Sequence, residues 1–191
     1  MNSRIEQTIN EKIELLNKLK MNGYRDELEK AGQLMVEALK NGNKIITAGN
    51  GGSAADAQHL AGELVGRFTM ERIGLPSISL CVDPSVVTSI GNDYGYDALF
   101  ARQIEALGNA GDVLIAISTS GNSKNLIKAI EAAKGKGICV IALLGKSGGS
   151  MKDMADLSLV IPSDSCPRIQ EIHTMSVHIL CEYIEQTLFA L

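Results

Sequence analysis

His59 and Glu63 stand four residues apart in the run Asp56-Ala57-Gln58-His59-Leu60-Ala61-Gly62-Glu63. At helical spacing both side chains lie on one face, one turn from each other. An imidazole and a carboxylate so placed either share a metal ion or divide proton-transfer work. The competing reading is a solvated i,i+4 pair on a helix surface. Against it, the small residues Ala54, Ala55, Ala57, Ala61 and Gly62 permit close approach of another backbone, and a half-buried His–Glu pair needs a partner or a metal. Just upstream, the apolar run Lys44-Ile45-Ile46-Thr47-Ala48 flows into Gly49-Asn50-Gly51-Gly52-Ser53. A glycine turn between strand and helix offers backbone N–H groups to an oxyanion, and Ser53 is the expected cap. Anion cradle and acid/base pair on one element suggest an enzyme acting on a small anionic metabolite.

A second polar turn, Ser118-Thr119-Ser120-Gly121-Asn122-Ser123, supplies four hydroxyls around a glycine ahead of another helix. Hydroxyls, free N–H groups and a helix dipole suit a phosphate dianion. A merely polar loop with a serine cap is the alternative. This turn has no Gly-Lys-Ser/Thr ending and the sequence has no G-x-G-x-x-G, so the turn is not one of the common nucleotide-binding loops. Of the three histidines, His173 and His178 share the last helix. His178, beside Val177, Ile179 and Leu180, reads by its neighbours first as a hydrogen-bonded core histidine. Gln170 and His178 are eight residues apart, about 12 Å along a helix, so the spacing neither proves nor excludes a shared metal. Asn92-Asp93-Tyr94-Gly95 reads as a turn, with Asp93 either an Asx-turn residue or a substrate contact. Arg67 is either a surface charge or an anion ligand for a neighbouring subunit.

These residues need elements to hold them. Strands are expected at about 43–48, 77–82, 112–118, 138–144 and 157–161, and helices near 53–66, 97–107 and 123–135, with short pieces at 85–90 and 149–155. Asp97 and Ser123 are the expected N-caps, and Gly108 and Gly135 the expected stops. Two helices fill the first forty residues, broken near Asn22-Gly23, the first with Ile5, Ile9, Ile13, Leu16 and Leu19 on one stripe. A last helix spans 167–189 with Pro167 in its first turn. Strands apolar on both faces and alternating with helices imply an α/β fold: a doubly wound, five-stranded parallel sheet. The flavodoxin-like order 2-1-3-4-5 opens its ligand crevice at the carboxyl ends of strands 1 and 3, where the two polar turns lie.

The chain has 191 residues and a net charge of −4, without a basic run, so a phosphate-neutralising nucleic-acid surface is excluded. The charged start, no secretory leader and no apolar stretch of spanning length make a cytoplasmic protein the expectation. Cys81, Cys139, Cys166 and Cys181 lack C-x-x-C spacing and are given no function. The last helix carries Ile169, Ile172, Val177, Ile179, Leu180, Ile184 and Leu188, more than one stripe needs, which predicts a homo-oligomer.

Together, 49–59, Gly91-Asn92-Asp93, 118–123 and Arg168-Ile169-Gln170-Glu171…His178 resemble the phosphoheptose isomerase family, enzymes of bacterial heptose biosynthesis on the sugar isomerase (SIS) fold. The likeness covers nearly the whole chain. The serine turn is common to many sugar-phosphate SIS domains; His59 and Glu63 with Gln170 and His178 are more specific. The resemblance implies one SIS domain over 1–191, with residues 1–41 as helices packing on it and on partner subunits. It implies zinc held by His59, Glu63, Gln170 and His178, with Glu63 and His178 as the acid/base pair. It further implies substrate contacts from Asn50, Gly51, Gly52, His59, Glu63, Asn92, Asp93, Ser118, Thr119, Ser120, Ser123 and Gln170, in a homotetramer with active sites between subunits. Some members carry an acidic residue where this chain has Pro167. A noncatalytic SIS-fold adaptor that binds a replication initiator is the rival reading, and the intact Glu63/His178 set beside a full serine turn argues against it.

Overall fold

Alternation along the central strands sorts the chain into two cores. The structure, a computed structural model, describes residues 2–190; Met1 and Leu191, the ends of the expected domain, lie outside the described residues. Helices α1 (Asn2–Met21) and α2 (Tyr24–Lys40) precede β1 (Ile45–Gly49) and α3 (Gly52–Val65). Then follow β2 (Ser77–Ser79), α4 (Pro84–Tyr94), a 3-10 turn (Tyr96–Ala98), α5 (Leu99–Leu107), β3 (Val113–Ser118) and α6 (Lys124–Gly135). The chain closes with β4 (Cys139–Gly145), α7 (Met151–Met154), β5 (Leu157–Ile161) and α8 (Cys166–Phe189). All strand pairs are parallel, in the expected order β2-β1-β3-β4-β5.

Side chains at every second position of a strand face one side. Val113, Ile115 and Ile117 of β3 pack with Leu28 and Met35 of α2, Leu60 of α3 and Ile172 of α8. Leu114 and Ala116 pack on the opposite face with Phe100 and Ile104 of α5 and Leu126 and Ile130 of α6. Each face is sealed by helices, which is why the strands read as unbroken apolar runs.

Several local expectations needed correction. Strand β2 is three residues long, because the chain turns at Cys81 to start α4 at Pro84. Asp83 caps that helix, accepting from the N–H groups of Ser85 (2.9 Å) and Val86 (3.1 Å). The cap carries α4 on to Tyr94, so Asn92 and Asp93 form its last turn rather than a loop. Asp97 sits in the 3-10 turn and Ala98 holds the N-cap position of α5. Ser53 lies inside the first turn of α3, whose N-cap is Gly51, and Ser123, at the N-cap of α6, makes no capping bond. Gly135 is the last residue of α6, and the left-handed residue that ends it is Gly137.

The expected apolar surplus is displaced. On α8, Ile169, Ile172, Val177, Leu180 and Ile184 are all buried within the chain. On α1 the stripe is divided: its Leu19 is buried, as is Leu15 one turn earlier, while Ile5, Ile9 and Ile13 are 62%, 55% and 50% exposed.

The core histidine of α8 is His173, not His178. It is fully buried, neither ring nitrogen completes a hydrogen bond, and the Leu144 carbonyl lies nearby without serving one. Burial pushes its imidazole down to about 4, below the ordinary 6.5. The unfolded chain therefore takes up a proton below pH 6.5 that the folded chain refuses, and stability falls with pH until about 4. The loss comes to about 2 kcal/mol by pH 5. Denaturant unfolding of the protein and of His173→Leu should diverge in pH dependence by that amount between pH 7 and 5; parallel curves would remove the effect.

Candidate active site

The crevice is built from glycines that let backbones meet. Gly51 adopts φ 55°, a left-handed value that favours glycine, as β1 turns into α3. A Cβ on Gly52 would collide with the Gln170 carboxamide, so the missing side chain lets Gln170 lie on the first turn of α3. The turn after β3 folds around its own hydroxyls. Ser118 Oγ lies 3.1 Å from Ser123 Oγ and 3.5 Å from Ser120 Oγ, and accepts from the N–H of Gly121 at 3.1 Å. This gathers three hydroxyls of 118–123 at the N-terminus of α6.

A loop after β4, unremarked in the sequence, supports that turn. Gly121 and Gly149 both have positive φ, and a Cβ on either would strike the backbone of the other loop. Ser150 donates its N–H to Asn122 Oδ1 at 3.0 Å, and Met151 donates to the Gly121 carbonyl at 2.9 Å. Asn50 ties the two polar turns together. Its Nδ2 donates to Asn125 Oδ1 at 3.0 Å, and Asn125 Nδ2 donates back at 2.8 Å. The Tyr96 hydroxyl also donates to Asn50 Oδ1, at 2.8 Å, beside a cavity of 110 Å³ lined by Gly51, Cys81 and Phe100 among others. Neither Tyr96 nor Asn125 was singled out in sequence, since nothing local signals a partner 46 or 75 residues away.

Helices α3 and α8 run side by side in the same direction. Cys166 reaches Thr119, Gln170 covers Gly52, and Thr174 Oγ1 donates to Asp56 Oδ1 at 2.7 Å. One turn later His178 Nε2 stands 3.4 Å from His59 Nε2, which lies 2.9 Å from Glu63 Oε1. The two imidazoles meet edge to face at 4.9 Å, and the Phe68 ring flanks His178 at 5.4 Å. Burial raises the Asp56 carboxyl above the usual carboxylate range, against the Thr174 hydroxyl and the nearby His59.

His59, Glu63 and His178 thus form one group in one chain, their ligating atoms all within 4.8 Å of one another. Side-chain exposures of 38% for His59 and 25% for Glu63 leave it open to a solute. One N–H on His59 Nε2 cannot serve both neighbours, so three electron-rich atoms converge with too few protons between them. Two imidazoles and a carboxylate are the donor set of a divalent transition metal, and the residues fit one. Gln170 is seated about 10 Å back along α3, at Gly52. Asn92 Nδ2 donates to Asp93 Oδ1 at 2.7 Å, both exposed; among the described residues no hydrogen bond joins them to either turn or to the trio. Among the described residues Arg67 makes only an exposed contact of 3.6 Å with Glu71, worth little.

The SIS domain family model matches residues 9–145. Phosphoheptose isomerase of Sulfurimonas denitrificans is 53% identical over 185 residues, 97% of this chain and 90% of its own. The chain belongs to the phosphoheptose isomerase family. The phosphoheptose isomerase of Trichlorobacter lovleyi, 50% identical, is matched over 100% of this chain and 97% of its own. Among solved structures, that of phosphoheptose isomerase from Neisseria gonorrhoeae superposes with a TM-score of 0.91 at 41% identity, covering 97% of this chain and 98% of that one. For the phosphoheptose isomerase from Francisella tularensis the TM-score is 0.88 at 42% identity, over 97% and 96%. Family members of this likeness share the whole architecture, including α1, α2 and α8, not the sheet alone.

Proposed function

We propose that this chain interconverts sedoheptulose 7-phosphate and D-glycero-D-manno-heptose 7-phosphate, the first step of bacterial ADP- or GDP-heptose biosynthesis. The carrying observation is the His59/Glu63/His178 group, assembled between α3, the helix that leaves the glycine cradle, and α8, in a fold whose second polar turn gathers three hydroxyls at the N-terminus of α6. Ketose-to-aldose conversion moves a proton between C1 and C2 through an enediol. It needs a base at carbon, a proton donor at oxygen and stabilisation of the developing oxyanion. Glu63 turns Oε1 to His59 and keeps Oε2 for the carbon-bound proton. His178, on the facing helix, exchanges the proton at oxygen. Ser118, Thr119, Ser120 and Ser123 hold the phosphate, remote from the reacting carbons, and Asn50, Gly51, Gly52 and Gln170 line the path between, so that phosphate binding energy positions C1 and C2. Asn92 and Asp93 meet the substrate from the end of α4.

His59, Glu63 and His178 would hold zinc; a glutamine side chain is too short to cross the roughly 10 Å from its seat on Gly52, so Gln170 as fourth ligand would come from a neighbouring subunit. Bound there, zinc supplies a Lewis acid beside the oxyanion. Residues 1–191 work as one SIS domain in the cytoplasm in this reading, and no described helix is long and apolar enough to cross a membrane. The adaptor alternative is not favoured: the relatives are phosphoheptose isomerases and the trio is intact.

Assay with sedoheptulose 7-phosphate should show conversion to the aldose. It should be lost after chelation and restored by zinc. Activity untouched by exhaustive chelation would remove the metal, and no conversion with zinc present would remove the reaction. We further infer a homotetramer from the exposed Ile5, Ile9, Ile13 and Ile179 and from an apolar groove of 590 Å³ between α1, α2 and α8, lined by Ile13, Leu28, Met175 and Tyr183 among others. Light scattering at micromolar concentration should report about four chain masses; a stable, active monomer would end this inference.

A further inference from the structure

The buried ion pair of Arg72 and Glu185 takes no part in the reaction just described. Both side chains are 1% exposed, with Arg72 Nε donating to Glu185 Oε1 at 3.0 Å. Glu185 lies two turns beyond His178 on α8. It accepts from the N–H groups of Phe68 (2.9 Å), Thr69 (2.8 Å) and Met70 (2.9 Å) and from the Thr69 hydroxyl (3.0 Å). Burial alone would raise its pKa, but these donors hold the carboxyl down to about 2. Arg72 reaches the other way. Its Nη2 donates to the Glu63 carbonyl at 2.7 Å, and Nη1 donates to those of Leu64 (2.8 Å), Gly66 (3.0 Å) and Ile73 (3.0 Å). Carbonyls in the last turn of a helix lack N–H partners of their own, so the guanidinium closes α3 at Glu63 itself.

We propose that the Arg72–Glu185 pair is a positioning device for Glu63 and His178. The two acid/base groups come from different helices, and their separation depends on how the end of α3 is held against α8. The carboxylate anchors the loop behind α3 to α8, and the guanidinium fixes the backbone of Glu63. Phe68, tied through its N–H, lays its ring beside the His178 imidazole. A buried ion pair is a weak means of stabilising a fold. A planar fork engaging four carbonyls at once fixes geometry.

The proposal rests on Glu63 and His178 being the acid/base pair. Arg72→Lys keeps the charge facing Glu185 and removes the fork. We expect kcat to fall at least about tenfold with KM within about twofold, since the serine turn is untouched. Zinc affinity of the metal-free variant, read by competition with a chromophoric chelator, should also fall at least about tenfold. Wild-type kcat and zinc affinity would overturn the proposal, as would a rise in KM matching the loss in kcat. Should Arg72→Lys fail to fold, Phe68→Leu decides: it should lower kcat and zinc affinity at least about threefold each, and wild-type values for both would overturn the proposal. Glu63→Gln measured alongside separates the two claims. If it stays active, the reading of Glu63 fails; if it is inactive while Arg72→Lys behaves as wild type, only the positioning role fails.

Discussion

Glu63→Gln should lower kcat by about a hundredfold or more while the protein stays folded. The amide keeps the volume and one carbonyl acceptor toward His59, now 2.9 Å from Oε1, but cannot take up a carbon-bound proton at neutral pH. General-base catalysis typically contributes 10²- to 10⁴-fold, roughly the size expected here. The Glu63 side chain is 25% exposed and the amide matches its volume, so the substitution should leave the thermal melt nearly unchanged. Steady-state kinetics with zinc in excess decide the matter. A loss under about tenfold would remove Glu63 from the base role and leave it a metal ligand only.

Ser120→Ala combined with Ser123→Ala should weaken binding of a phosphorylated ketose by about a hundredfold or more and leave zinc affinity as it was. Hydrogen bonds to charged groups are each worth about 1.5–3 kcal/mol, so two together account for about 3 kcal/mol at the low end. The hydroxyls of Ser120 and Ser123 converge on Ser118; that of Ser120 also accepts from the Asn122 N–H at 3.2 Å, whereas that of Ser123 makes no bond back into α6. A role in the fold alone would leave ligand affinity intact. Titration calorimetry with substrate, beside a chelator competition for zinc, reads both quantities. Unchanged affinity in a folded variant would make the turn structural.

Much of this protein is legible residue by residue. The apolar runs of β1, β3 and β4 announce strands covered on both faces, and helical segments between them dictate a parallel sheet. The glycine and serine turns are legible because they sit at the carboxyl ends of β1 and β3, and topology makes a crevice there. His59 and Glu63 are legible because i,i+4 spacing is a property of the helix itself. The family resemblance rests on these same local features.

Tertiary structure decided what lies across long separations. Which histidine of α8 joins His59 depends on how that helix is rotated against α3. His178 faces the crevice and His173, five residues earlier, the core, an outcome invisible in two apolar neighbourhoods that look alike. The Asn50–Asn125 amide pair and the Arg72–Glu185 tie span 75 and 113 residues. The exposed isoleucines of the α1 stripe and the buried face of α8 also reverse the expected place of the apolar surplus. Periodicity says that a helix has an apolar face, but the packing of the finished sheet and its neighbours chooses which residues fill it. Local spacing therefore determined the elements and half of the site, whereas the pairing of α3 with α8 assembled the other half.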